Sequence, residues 1–153
     1  MRKTGFFIDS ILLVLLIVGS VGKKPIGKHR RLRRFSEEDY DRLTSLIARV
    51  DQVLVTRNTL TETSNLLAQH KDPERSLFSR RLRFVIEESQ EVVIASRTAS
   101  RNNAFQRLGL TDAALLEAVA EEQPLITVDL DLYLAAIAKG QRMAMNFTHI
   151  QHL

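Results

Sequence analysis

The stretch Gly5-Phe6-Phe7-Ile8-Asp9-Ser10-Ile11-Leu12-Leu13-Val14-Leu15-Leu16-Ile17-Val18 decides the fold, because it admits two incompatible readings. With Met1-Arg2-Lys3 before it and the small residues Gly19-Ser20 after it, the stretch has the outline of a signal peptide or membrane anchor. Gly5 to Gly22 is 18 residues, near the lower limit for crossing a bilayer. Asp9 argues against both. A carboxylate at a bilayer centre costs about 2.5–3.5 kcal/mol on insertion scales, and the apolar run after it, Ile11 to Val18, is only eight residues long. The preferred reading is a short buried strand over 5–8 that ends at Asp9. A helix follows it, apolar all round because a globular interior covers it. Residues 1–22 then stay in the fold, and the chain is expected to be cytoplasmic with no membrane contact.

From this stretch the chain alternates between strand and helix. Residues 36–50 place Tyr40, Leu43, Leu46, Ile47 and Val50 on one stripe, with Ser36 as N-cap. Gln-Val-Leu-Val-Thr over 52–56 reads as a second strand, helices follow over 59–67 and 72–88, and 91–95 reads as a third strand. Helices are expected over 98–108 and 111–122 with Gly109 as the stop between them, a fourth strand over 125–128, a helix over 130–139 closed by Gly140, and a short last strand over 143–147. Short strands separated by helices require crossover connections. The expected architecture is a three-layer α/β/α sandwich with a short, mostly parallel sheet, and 153 residues at 44% hydrophobic content make one domain over 1–153.

Composition removes several chemistries. With no Cys there is no disulfide, no thiolate nucleophile and no Cys-ligated metal. The four His stand at 29, 70, 149 and 152; the last two are three apart but have no HExxH context, and read as a surface tail. There is no Gly-x-Ser-x-Gly elbow and no Gly-rich phosphate loop. The net charge of +4 hides uneven placement. Lys23, Lys24, Lys28, Arg30, Arg31, Arg33 and Arg34 make a basic loop over 23–34 with no acid in it. Arg80, Arg81 and Arg83 read as the solvated face of a helix that buries Leu77, Phe78, Leu82 and Val85.

In open α/β sheets the ligand site lies beyond the carboxyl ends of the strands, and there this sequence places acids. Asp9 follows the first strand, Asp129 follows the fourth, Glu62 sits early in the helix after the second strand, and Asp112 opens another helix. Four carboxylates at one sheet edge repel one another unless a cation neutralises them. Hard oxygen ligands suit Mg²⁺ or Mn²⁺, which can activate water for phosphoryl displacement. Each acid also has a plainer reading. Thr59-Leu60-Thr61-Glu62 is a capping box, and Asp112, Asp129 or Asp131 can complement a helix dipole. Asp9 has none as simple, since a carboxylate between two apolar runs is costly to bury without a partner.

The order Phe7-Ile8-Asp9-Ser10, Leu60-Thr61-Glu62-Thr63-Ser64-Asn65-Leu66-Leu67, Leu110-Thr111-Asp112-Ala113 and Ile126-Thr127-Val128-Asp129, with Leu132 and Ala135-Ala136 behind it, resembles the PIN-domain family over nearly the whole chain. The resemblance implies an acidic quartet at Asp9, Glu62, Asp112 and Asp129 that binds Mg²⁺ or Mn²⁺ and cleaves RNA. Thr127 matches the hydroxyl residue two before the last acid, Asn146-Phe147 matches the closing strand, and Ser10 is a supporting polar group; Asp131 is an extra acid that can replace or supplement Asp129, which is preferred because it directly follows the strand. It further implies a homodimer and, as for many bacterial members, the toxin of a toxin–antitoxin pair with an antitoxin protein as partner. The family's first motif runs Asp-Thr-Asn or Asp-Thr-Ser, whereas here it is Asp9-Ser10-Ile11. The alternatives are a catalytically silent nucleic-acid-binding module of the same fold and, from another class, a membrane-anchored protein. Because an acidic metal site repels a polyanion, RNA contact is assigned to the basic loop at Lys28, Arg30, Arg31, Arg33 and Arg34.

Overall fold

A four-residue run with both faces apolar is satisfied only in the middle of a sheet covered on both sides, and β1 (Gly5–Ile8), buried throughout, takes that place in the computed structural model. The structure describes residues 3–151; Met1, Arg2, His152 and Leu153, and the expectations that fall on them, lie outside the described residues. Five strands form one all-parallel sheet in the order β3-β2-β1-β4-β5, where β2 is Gln52–Thr56, β3 Gln90–Val92, β4 Leu125–Thr127 and β5 Ala144–Asn146. The period of two along β1 sends Phe6 and Ile8 to one face and Phe7 to the other. The first face is covered by α1 (Ser10–Val21), α2 (Glu37–Ala48), α3 (Arg57–Leu67) and α4 (Glu74–Glu88). The second is covered by α6 (Phe105–Leu108), α7 (Leu110–Ala118) and α8 (Leu130–Ile137), with the short α5 (Ser96–Ser100) packed against α7. The chain is thus the three-layer α/β/α sandwich that the alternation implies.

The apolar stretch that imitates a membrane anchor is the inner helix of the first layer. Leu12, Leu13, Val14, Leu15, Ile17 and Val18 are buried, and α2, α3 and α4 pack around α1. Among the described residues no helix is long and apolar enough to cross a membrane. Gly19, which reads as part of a cleavage site, is the notch that seats Tyr40: a Cβ there would stand 2.2 Å from the ring's Cδ2.

Several boundaries differ from the sequence reading, each for a local reason. The strand expected over 91–95 pairs only at 90–92, since β2 ends where Thr56 caps α3 and nothing remains beyond Thr56↔Val92 for Val93, Ile94 and Ala95 to bond to. The helix expected over 98–108 is broken into α5 and α6, because Asn102 Oδ1 accepts the Ala104 N–H at 2.9 Å and turns the chain. The helix over 111–122 starts at Leu110 and stops at Ala118, followed by a turn closed between Ala120 and Gln123. That over 130–139 stops at Ile137, and that over 72–88 starts at Glu74. On α4, Phe78 and Leu82 are buried while Leu77 is 39% exposed, so Leu77 does not belong to the core face. The last strand is shorter than 143–147: Asn146 Oδ1 accepts the Thr148 N–H at 2.9 Å and Phe147 already opens α9 (Phe147–Gln151). The basic loop is wound into two 3₁₀ turns, Lys24–Lys28 and Arg30–Leu32, anchored by the buried Ile26 and Leu32.

Candidate functional site

From β1 the chain proceeds outward to β2 and β3 on one side, then crosses to β4 and β5 on the other. The order therefore reverses between β1 and β4, and at such a point the connections part and leave a crevice at the strands' carboxyl ends. Asp9 and Asp129 leave the two strands that border it. Asp9 is the N-cap of α1, its Oδ1 accepting the Leu12 N–H at 2.8 Å, and its Oδ2 accepts the Val128 N–H at 3.0 Å and the Thr127 hydroxyl. The buried carboxylate thus ties the end of β1 to the end of β4. Thr127 Oγ1 in turn accepts the Asp129 N–H at 3.0 Å, and Asp129 caps α8 by accepting the Leu132 N–H at 3.1 Å.

These two acids meet the other two in a concavity of about 380 Å³ lined by Asp9, Ser10, Ile11, Arg34, Glu62, Asp112, Val128, Asp129, Leu130 and Leu132. Asp112 comes from the first turn of α7, and Glu62 from the middle of α3. The capping-box reading of Glu62 does not hold. The cap of α3 is Thr56, whose Oγ1 accepts the Thr59 N–H at 3.1 Å, and Glu62 is exposed. The dipole reading of Asp129 holds together with its place in the crevice. Asp131 is exposed and does not line the concavity.

The electrostatics record the crowding. Burial, reinforced by the charges of Asp129, Glu62 and Asp9, pushes the Asp112 carboxyl up to about 7. Burial also pushes Asp9 up, opposed by its hydrogen bonds from Thr127, Leu12 and Val128 and by the Arg34 guanidinium. Arg34 lines the wall with its charge 5.3 Å over the ring of Phe35, a buried side chain packed against Phe147.

Four carboxylates form a hard-oxygen donor set of the kind Mg²⁺ or Mn²⁺ takes. Ser10, which lines the same wall, has a buried hydroxyl with no hydrogen-bond partner in the structure. The donor types on this wall are compatible with a divalent cation. Among the described residues no three His, Asp or Glu side chains are drawn together as a ready-made metal cage.

Of the residues assigned to RNA, only Arg34 reaches this wall; Lys28, Arg30, Arg31 and Arg33 are exposed and do not line it. Lys23, from the same basic run, is paired with Asp41 at 2.7 Å. The apolar part of the wall is Ile11, Val128, Leu130 and Leu132; the motif comparison marked Ile11 as a departure, whereas nothing in the sequence singled out Leu130 as a wall residue.

No protein-family model matches the chain, and no curated protein matches it. Among solved structures it is similar to the crystal structure of PAE2754 from Pyrobaculum aerophilum, at 18% identity over 96% of this chain and 92% of that one, with a TM-score of 0.57. A likeness at that level of identity concerns the fold.

Proposed function

We propose that the chain is a ribonuclease that hydrolyses RNA phosphodiesters with Mg²⁺ or Mn²⁺ held among Asp9, Glu62, Asp112 and Asp129. The observation that carries this is the convergence of four carboxylates from separate helices and strand ends on one concavity at the sheet's reversal point, crowded enough to displace Asp112 to about 7. The resemblance to PIN-domain ribonucleases supplies RNA as the substrate class. A bound divalent ion supplies Lewis acidity toward a phosphoryl oxygen and toward water, and offsets the charge that develops during in-line displacement.

The remaining work falls to the chain's own groups. Three hydrogen bonds hold Asp9 in one orientation, so its carboxylate is arranged before any ligand arrives. Thr127 holds Asp9 and the backbone of Asp129 at once, which fixes the spacing of the two acids. The Arg34 guanidinium, steadied on Phe35, offers donors to a phosphate, while Ile11, Leu130 and Leu132 narrow the polar part of the wall. The antitoxin partner and the homodimer belong to the same proposal, and rest on the resemblance alone.

Incubation of single-stranded RNA with the purified chain tests the reading. Cleavage is expected with Mn²⁺ or Mg²⁺ and none with excess chelator. A chain that binds RNA but yields no product under any divalent metal contradicts it, and favours a catalytically silent module. One observation points that way: Ile11 lines the wall at the position where the resembled motif carries a polar residue.

A further inference from the structure

α7 and α8 both begin at the acidic concavity, where they carry Asp112 and Asp129, and both run away from it. At their far ends lies a second concavity of about 440 Å³, walled by Arg101, Asn102, Arg107, Glu117, Ala138 and Lys139 among others. Its three cations come from three segments: the turn after α5, helix α6, and the turn after α8. Among the described residues none of the three is paired with a carboxylate. Glu117 is engaged by Asn102, whose Nδ2 donates to its Oε1 at 3.1 Å, and Asn102 is itself held by the Ala104 N–H. Lys139 Nζ donates to the Leu116 carbonyl at 3.4 Å, which keeps its ammonium at the wall. Two free guanidiniums beside an ammonium in a concave site suit a phosphodiester, whose oxygens accept from several donors at once.

One row of side chains joins the two concavities. Leu130 lines the acidic one, Ala138, the residue that caps the end of α8, lines the basic one, and Leu134 lies between them, each four residues from the next. Leu130 is 58% exposed and Leu134 49%, so two large apolar side chains face solvent along the path. Asp131, one residue on, is turned by about 100° from that row. At about 1.5 Å per residue the ten residues from Asp129 to Lys139 cover roughly 15 Å. A stacked strand at about 3.4 Å per nucleotide spans this with about four nucleotides.

We infer that the Arg101, Arg107 and Lys139 concavity is a phosphate subsite for single-stranded RNA about four nucleotides from the cleaved bond, with bases lying over Leu130 and Leu134 between the two. The inference rests on the ribonuclease reading for the acidic end. Backbone phosphates supply the affinity and the leucines a sequence-tolerant surface, so this subsite selects length and single-strandedness rather than sequence.

Fluorescence anisotropy with labelled RNA of three and of ten nucleotides tests it, on full-length chain carrying Asp112→Asn so that cleavage plays no part. The ten-mer is expected to bind at least about tenfold more tightly than the three-mer. Adding Arg101→Gln, Arg107→Gln and Lys139→Gln should remove that increment, and should reduce the slope of log affinity against log salt by about 2, at roughly 0.7 per contact for single strands. If the triple change prevents folding, Arg107→Gln alone should reduce the slope by about 0.7. Unchanged ten-mer affinity and slope, or equal losses for both lengths, overturn the subsite. Cations that merely complement helix carboxyl ends give the first of these results together with lowered stability. Failure of the unsubstituted chain to cleave RNA speaks against the ribonuclease reading alone, because binding is measured without it.

Discussion

Asp112→Asn is expected to lower metal-dependent RNA cleavage by a factor on the order of 10²–10³ or more while making the metal-free chain more stable. The activity loss follows from removing an oxygen ligand and a negative charge from a site whose proposed task is to hold a divalent ion against a developing anion. The stability gain follows from the crowding. Near pH 8 the carboxylate is ionised beside Asp129, Glu62 and Asp9 although burial favours its protonated form, and an amide of the same shape escapes both penalties. Asp112 is part-exposed, so solvent screening reduces the gain to about 1–2 kcal/mol. Urea unfolding in chelator measures the second effect, and cleavage of single-stranded RNA with added Mn²⁺ the first. A residue serving only the dipole of α7 behaves in the opposite way, since its loss lowers stability and leaves activity alone.

The second large effect concerns acid. His29 is 2% exposed; its Nδ1 accepts the Arg31 N–H at 3.0 Å, its ring lies 4.5 Å from that of His70, and His70 packs edge-on against Phe78. Because Nδ1 is the acceptor, the proton of the neutral ring sits on Nε2, which has no partner in the structure. Burial, with the neighbouring His70 and Arg31, lowers its pKa to about 4. A folded pKa below the unfolded one means that the unfolded chain binds more protons between the two. The stability held by neutral His29 is therefore complete above about pH 6.5 and falls as pH drops toward about 4, by on the order of 2–3 kcal/mol. His29→Asn keeps an acceptor for the Arg31 N–H and removes the titration. Urea unfolding at pH 7.5 and pH 4.5 should show a larger drop for the unsubstituted chain than for the variant. Equal drops contradict the assignment.

Asp9 and Asp129 were legible because a parallel sheet delivers the residue after each strand to one edge, so a local pattern of apolar run then carboxylate reports a shared location, whereas Glu62 and Asp112 lie within helices and were picked out by their order in the resembled motifs. Asp9 was the strongest signal: one charge in an apolar stretch argued against the membrane readings and marked the end of β1 together. The cations were not legible. Seven basic residues lie within 23–34, and which one faces the acids depends on two 3₁₀ turns and on the seat that Phe35 provides for Arg34, none of which has a period. Strand β3 was overestimated because its length is set by where its partner β2 ends, a property of the pairing and not of 91–95 themselves. The break between α5 and α6 rests on a single Asn102 side chain, and a helical pattern read over 98–108 passes across it.

On the proposed function, Asp9, Glu62, Asp112 and Asp129 act together as one divalent-cation site. Calorimetric titration of Mn²⁺ into the full-length chain and into its Asp9→Asn and Asp112→Asn variants tests it most directly. Saturable binding to the unsubstituted chain is expected, with a loss of at least about tenfold in affinity in each variant and both still folded. No binding to the unsubstituted chain, or the same affinity in all three proteins, contradicts it.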